Sequence, residues 1–444
     1  MNIVIRQGKV KGMVMAPPSK SLTHRAIALA TLAQGESVLT NVLYADDTKA
    51  TMEACRSFGA LIKQEESKLA VQGTGGTLRV PSRSLECGLS GATLRFALAL
   101  AALAPGETTL TGSARLLERP LQPLYDALQT LGAEVIQWPQ RITVRGGAAK
   151  GGKVRLPGNI SSQFVSALLM IAPFMLDGMT IAVEESIYSR PYIDLTIALM
   201  KEFGVAVEQK GSQFTVEPGQ SYRARRYAME GDFSSAQYWF AAAAVTRGEV
   251  EVFGLAPESV QGDRKMLDIL RSAGCEVNIE RDAVVARGAK SVKPFSVDGR
   301  DIPDLVPTLA VLAAVARGMS VITHIGHLRG KESDRLAAPA EELAKMGIRA
   351  EADGDSLKIY GGSLRGVVID PHGDHRMAMA FAVAGLAAEG ETVIQDAEVV
   401  SKSYPGFWDN LEKLGVVLRR EAVIRSVSRN FLLRNSAGLR PPSR

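Results

Sequence analysis

A glycine that follows a helical pattern returns six times along this chain, at Gly59, Gly132, Gly204, Gly274, Gly347 and Gly415. The intervals are 73, 72, 70, 73 and 68 residues. Each glycine closes an apolar-periodic stretch such as Tyr125 to Leu131 and precedes alternating residues such as Ala133-Glu134-Val135-Ile136, the pattern of a helix C-cap feeding a strand. A second series, Gly35, Gly106, Gly178, Gly248, Gly318 and Gly390, keeps intervals of 71, 72, 70, 70 and 72 residues; it follows Ala-rich helices and introduces strands such as Glu107 to Leu110. Two independent series with one period set chance spacing aside, and each unit reads βαβαββ. Six such units exceed what one core holds, which predicts an α/β protein of two similar domains with three repeats each.

The chain has 444 residues, 46% of them hydrophobic and 22% charged, a composition that excludes disordered and collagen-like classes. Its longest nearly uniform apolar stretches, Phe96 to Ala104 and Met377 to Ala388, are 9 and 12 residues, short of the roughly 18 to 20 that cross a bilayer. A soluble protein is expected, with no membrane partner. No charged-then-apolar leader is seen, and Cys55, Cys87 and Cys275 are few and far apart, which fits a reducing cytoplasm. Four of the five net positive charges reside in a tail, because residues 421–444 hold five arginines, Arg425, Arg429, Arg434, Arg440 and Arg444, against Glu421. Without them 47 basic residues face 46 acidic ones, so the tail reads as a disordered extension and nucleic acid is not an expected partner.

Equivalent positions across the repeats carry the chemistry. The first helix of each unit starts at Ser19-Lys20-Ser21, Ser90-Gly91-Ala92-Thr93, Ser161-Ser162-Gln163, Phe233-Ser234-Ser235, Ile302-Pro303-Asp304 and Asp374-His375-Arg376. Small polar residues there cap helices, which is the expected role of Ser234 and Ser235. The second helices start beside Arg119-Pro120, Arg190-Pro191, Lys331 to Arg335, and Lys402-Ser403. Cations are unfavourable at helix N-termini, so ordinary capping does not account for them, whereas an anionic ligand does. A solvated charged face competes for any single one, with equal weight at Arg190. Among these cations Asp304 and Glu332 stand out, since a site that only holds anions gains nothing from carboxylates. Acid–base work is their expected use; the bland alternative has Asp304 capping its helix and Glu332 pairing with Lys331 or Arg335.

Other motifs fall short. Gly73-Thr74-Gly75-Gly76 lacks dinucleotide-loop spacing, and Gly88-Leu89-Ser90-Gly91-Ala92 misses the nucleophile-elbow pattern. The pairs His324 and His327, and His372 and His375, have no carboxylate or thiol cluster at metal spacing, so no metal is expected, and His324 and His372 read as structural.

At these residues the chain resembles the 5-enolpyruvylshikimate-3-phosphate (EPSP) synthase family, 3-phosphoshikimate 1-carboxyvinyltransferases. The resemblance spans nearly all of residues 1–420. It rests on Pro18-Ser19-Lys20-Ser21-Leu22-Thr23-His24-Arg25-Ala26, and above all on Lys331-Glu332-Ser333-Asp334-Arg335-Leu336 and Asp374-His375-Arg376-Met377-Ala378-Met379. It implies two inside-out α/β barrels joined by two crossings: 1–17 with 231–420, and 18–230, the strand near residues 9–16 belonging to the C-terminal half. The implied activity is transfer of the enolpyruvyl group of phosphoenolpyruvate to the 5-hydroxyl of shikimate 3-phosphate, without cofactor, by a cytoplasmic monomer. The implied phosphoenolpyruvate ligands are Lys20, Gly91, Arg119, Gln163, Arg335, Arg376 and Lys402. Those implied for shikimate 3-phosphate are Lys20, Ser21, Arg25, Ser161, Ser162, Gln163, Ser189, Arg190, Tyr192, Asp304, His327 and Lys331. Asp304 accepts the hydroxyl proton on this resemblance, while protonation of the methylene is shared among Glu332, Lys20 and His375.

The chain departs from the family pattern in one wall. Leu89-Ser90-Gly91-Ala92-Thr93 stands where Asn-Ala/Ser-Gly-Thr is usual, and Phe96 stands where proline is frequent, which leaves the response to the inhibitor glyphosate open. His327 occupies a position where asparagine is often found. The related transferase acting on UDP-N-acetylglucosamine carries a catalytic loop cysteine, and Ser113 to Pro120 contains none. A non-catalytic anion- or RNA-end-binding protein is the rival of another class, and Asp304 and Glu332 argue against it.

Overall fold

The computed structural model describes residues 1–65, 68–148 and 150–422. From residue 423 onward the basic tail lies outside the described residues. Six four-stranded sheets share one topology. In the unit containing Gly152–Pro157, that strand runs parallel to Met179–Glu184; Gln213–Val216 pairs antiparallel with the latter, and Glu208–Lys210 lies outermost. This is the order a βαβαββ unit gives when its first two strands are joined by a crossover helix and its last two form a hairpin.

Three of the six sheets are completed from a distance. Asn2–Arg6 pairs with Glu391–Ile394 and Leu418–Glu421, and Lys11–Met15 pairs in parallel with Glu249–Phe253. The N-terminus thus supplies two strands to the C-terminal half, where the sequence pattern showed one near residues 9–16. In return, Arg226–Ala228 lies parallel to Glu36–Thr40. The buried apolar side chains form two separate cores, one drawn from residues 3–16 and 233–416, the other from residues 22–229. The chain crosses between them at two places that hold each other: Ser19 N–H donates to Glu230 O at 2.9 Å, and Asp232 N–H to Pro17 O at 2.8 Å.

Each unit contributes one inner helix: Lys20–Leu32, Gly91–Leu103, Ser162–Ile171, Phe233–Thr246, Val306–Ala314 and His375–Ala387. Beyond their first turns they are largely apolar, as in Phe240-Ala241-Ala242-Ala243-Ala244, and they are buried along most of their length. Their starts are capped as the sequence indicates at Ser19, Ser90, Ser161 and Asp374, whose side chains accept N–H bonds from Leu22, Thr93, Gln163 and Arg376. Ser234 and Ser235 differ: their hydroxyls donate to Asp263 Oδ2 at 2.5 Å and Asp232 Oδ2 at 2.7 Å. The outer helices end on the first glycine series. After Asp46–Ser57, Gly59 adopts φ +110°, and the next N–H, that of Ala60, returns to Cys55 O. No side chain sits easily in that left-handed geometry. Among the described residues, no helix is long and apolar enough to cross a membrane.

A third glycine series emerges only in three dimensions. Gly73, Gly146, Gly288 and Gly361 each follow the last strand of a hairpin and lie against the carbonyl end of an inner helix. A Cβ on Gly361 would sit 1.8 Å from Ala316 O, a contact with main chain that cannot swing aside. Gly361→Ala is therefore expected to destabilise the fold by about 2 kcal/mol or more, as a lowered urea unfolding midpoint. An unchanged midpoint would mean that the hairpin does not need this close approach.

Candidate active site

The two halves meet over a cavity lined by the starts of the inner helices. Lys20, Ser21, Gly91, Ala92, Ser162, Gln163, His375 and Arg376 open their helices there, and Asp304 lies in the turn before Val306–Ala314. The Phe233–Thr246 helix reaches the same place through Ser234 O, which accepts from Arg376 Nη1 at 3.0 Å. Converging N-termini make the cavity electropositive before any side chain is counted.

The side chains add to that field. Arg335, only 1% exposed, donates through Nε and Nη2 to Asp374 at 2.7 and 3.1 Å, through Nη1 to Asp304 at 2.8 Å and through Nη2 to Glu332 at 3.1 Å. Arg376 Nη2 takes the other oxygen of Asp304 at 2.7 Å. Lys402 and Arg119 approach Glu332 at 2.9 and 3.6 Å, and Lys20 approaches Asp47 at 3.0 Å. Arg25 meets only neutral oxygens, those of Ser21, Tyr192, Thr196 and Ser166. Seven cations, Lys20, Arg25, Arg119, Lys331, Arg335, Arg376 and Lys402, thus face four carboxylates, Asp47, Asp304, Glu332 and Asp374. The surplus of three positive charges is enclosed and calls for anions.

Protonation follows from this field. Burial alone would push the Asp304 carboxyl up, but Arg376 and Arg335, with Lys331 and Lys20, hold it well below the usual carboxylate range. Burial opposes Glu332 likewise, and Lys402, Arg119 and Arg335 keep it ionised. Burial, reinforced by Lys20 and Lys402, holds His375 neutral, with neither ring nitrogen hydrogen-bonded. Lys331 is lowered to about 8, by burial first and by Arg119 next. Asp304 caps no helix: both oxygens serve the two guanidinia, and Tyr192 Oη donates to Oδ2 at 3.3 Å.

The structure brings most of the sequence-predicted residues to this wall: Lys20, Ser21, Arg25, Gly91, Arg119, Ser161, Ser162, Gln163, Ser189, Tyr192, Asp304, Lys331, Glu332, Arg335, His375 and Arg376. Lys402 stands behind Glu332. His327 lines an adjoining cavity with Arg95, Arg119, Ser161 and Lys331, its ring 5.0 Å from that of Tyr188. Arg190 is not at the wall; it pairs with Asp194 at 2.7 Å and lies over the Phe214 ring. Phe96 carries the Arg25 guanidinium over its ring at 5.6 Å, and a Cβ on Gly91 would come within 2.7 Å of Arg119 Nη1 and 2.8 Å of Arg95 Nη1. Sequence reasoning missed Asp47 and His24, which line the cavity, and Asp263, buried just behind it. Asp46-Asp47 looks like ordinary acidic helix-start composition, and only the fold sets Asp47 against Lys20.

Six equivalent repeats that aim helix starts and guanidinia at one cleft define an α/β protein built to hold anions. The family model described as EPSP synthase (3-phosphoshikimate 1-carboxyvinyltransferase) matches residues 4–411, and this chain belongs to that family. A 3-phosphoshikimate 1-carboxyvinyltransferase of Methanoculleus marisnigri is 43% identical over 422 residues, 93% of this chain and 99% of the relative. One from Methanocaldococcus jannaschii is 39% identical over 419 residues, with 93% and 98% covered. A solved EPSP synthase structure from Acinetobacter baumannii superimposes with a TM-score of 0.79 at 26% identity, covering 94% of this chain and all of that one.

Asp263 provides a test of the buried field. Burial, and then the charge of Asp304, raise its carboxyl to about 7. A carboxyl whose folded pKa lies above its unfolded value of about 3.9 withdraws stability as pH rises between the two. Asp263→Asn should therefore gain stability relative to the wild-type chain as pH goes from 4 to 7.5 in urea titrations. A difference independent of pH would contradict the assignment.

Proposed function

We propose that this chain transfers the enolpyruvyl (1-carboxyvinyl) group of phosphoenolpyruvate to the 5-hydroxyl of shikimate 3-phosphate and releases inorganic phosphate, a step in chorismate and aromatic amino-acid biosynthesis. The observation that carries the reading is Asp304, a carboxylate set between two arginines where the halves meet. Phosphoenolpyruvate lies on Lys20, Gly91, Arg119, Gln163, Arg335, Arg376 and Lys402. Shikimate 3-phosphate lies on Lys20, Ser21, Arg25, Ser161, Ser162, Gln163, Ser189, Tyr192, Asp304 and Lys331. His327 donates to its phosphate from the adjoining cavity, and Arg190 reaches it only after leaving Asp194.

Guanidinium forks suit two phosphorylated carboxylates, because they neutralise the charge that would keep the substrates apart and fix their orientation. Each fork that turns to a substrate anion loosens its hold on Asp304, whose basicity rises when the 5-hydroxyl arrives. Asp304 takes that proton, the oxygen bonds to C2 of phosphoenolpyruvate, and the methylene carbon is protonated by a group among Glu332, Lys20 and His375, of which Glu332 and His375, ionised and neutral at rest, serve only after taking up a proton themselves. The tetrahedral adduct then loses a methyl proton and its C2–O bond to phosphate, which restores the enol ether and frees phosphate. Two rigid units, 1–17 with 231–420 and 18–230, closing on the pair exclude the water that would otherwise intercept the cationic transition state. The same reading makes the enzyme a cytoplasmic monomer that uses no cofactor; three free, buried cysteines agree with a reducing compartment.

The test is phosphate release from purified protein. It is expected with phosphoenolpyruvate and shikimate 3-phosphate together, and not with either alone. Release with phosphoenolpyruvate and UDP-N-acetylglucosamine instead would transfer the chain to the related chemistry, and no release with any pair would overturn catalysis.

A further inference from the structure

Between the two halves, one side chain makes more hydrogen bonds than any other among the described residues. Arg115 lies on the short helix Ala114–Glu118, started by Ser113, and its guanidinium crosses to the opposite half. Nε donates to Lys331 O at 3.1 Å and Glu332 O at 3.2 Å, while Nη2 donates to Lys331 O at 2.8 Å and Arg329 O at 3.1 Å. One helical turn on, Arg119 Nε donates to Gly330 O at 3.2 Å. Every carbonyl from Arg329 to Glu332 is thereby held from across the cleft. Other crossings nearby are single bonds, such as Ser189 N–H to Arg300 O at 2.8 Å and Ser401 Oγ to Asp46 at 2.5 Å.

The gripped segment delivers Lys331 and Glu332 into the cavity, yet Arg115 itself stands outside the main wall, in a side cavity with Leu89 and His372. Its partners are main-chain oxygens at the end of the turn Gly326–Gly330, where carbonyls lack helical partners and carry partial negative charge. Such a contact needs no carboxylate on the far side, so it forms without drawing on the charges that serve the substrates. It also exists only while the halves are together. We propose that Arg115 is a positioning residue: a catch that holds the closed arrangement and fixes Lys331 and Glu332 by their own backbone. The catch rests on the function proposed above only in its kinetic consequence, not in its geometry. A planar fork spans the three carbonyls at once, which a single ammonium cannot do.

The experiment compares the full-length chain with Arg115→Ala and Arg115→Lys. Small-angle X-ray scattering with shikimate 3-phosphate bound, the condition in which the halves are together, should give a larger radius of gyration for Arg115→Ala than for wild type, with Arg115→Lys between them. In steady-state phosphate release at saturating shikimate 3-phosphate, the KM for phosphoenolpyruvate should rise about tenfold or more in Arg115→Ala, since apparent affinity scales with the closed fraction. Arg115→Lys should recover part of that loss. A radius of gyration equal to wild type together with a KM within twofold of it overturns the catch, as does a lower kcat at unchanged KM, which would report only fewer folded molecules. A wild-type chain that is inactive with these substrates would overturn the proposed reaction instead, and the scattering comparison, repeated with inorganic phosphate as the anion that fills the cavity, would still decide on Arg115. If Arg115→Ala fails to fold, the Arg115→Lys measurements decide in the same way.

Discussion

The grip of Arg335 and Arg376 on Asp304 is the interaction on which the rest of this structure depends. Two buried guanidinia are costly unless their charge is answered, and here the answer is shared: Asp374 and Glu332 take part of Arg335, and Asp304 bridges both arginines. The pairing leaves a surplus, because Arg25, Arg119, Lys331 and Lys20 have fewer carboxylates than charges to offer. An unanswered surplus of buried positive charge is costly, and a ligand of opposite charge relieves it. Stability and substrate demand are therefore two faces of one charge balance.

The repeat explains how so many cations reach one point. Each unit ends an inner helix N-terminus at the same place, and two sets of three units face each other, so a residue near a helix start in any unit has a short path to the cleft. The helices themselves contribute backbone N–H groups and dipoles, which lets serines and glycines stand where bulkier residues would keep an anion away. Gly91 shows how tight this is: Arg119 and Arg95 approach so closely that even a methyl group would displace one of them. Phe96 adapts the same wall by carrying Arg25 on its ring.

Much of this was readable from sequence because it is periodic or locally capped. Glycine spacing fixed the number of units and their helix–strand order, and a carboxylate among cations singled out Asp304 and Glu332. What stayed hidden arises from pairing across long separations. Asp47 reads as a helix-start acid and becomes the partner of Lys20; Asp374 reads as a cap and also clamps Arg335 from 39 residues away. Arg115 resembles any surface arginine until the opposite half is in place. The exchange of terminal strands, with Asn2–Arg6 inserted between Glu391–Ile394 and Leu418–Glu421 in the last sheet, has no local signal, since its partners lie near the other end of the chain. The glycines that admit helix carbonyls, Gly361 among them, look like ordinary turn residues until their neighbours are seen.

Asp304 is a structural counter-charge and, in the proposed reaction, the acceptor of the substrate proton, and one comparison separates these roles. Asp304→Ala should still bind shikimate 3-phosphate and phosphoenolpyruvate, measured by calorimetry, while kcat falls by about 10² or more. Near-normal turnover in that variant would contradict the central claim, because the proton would then leave by another route and the carboxylate between the arginines would serve the fold alone.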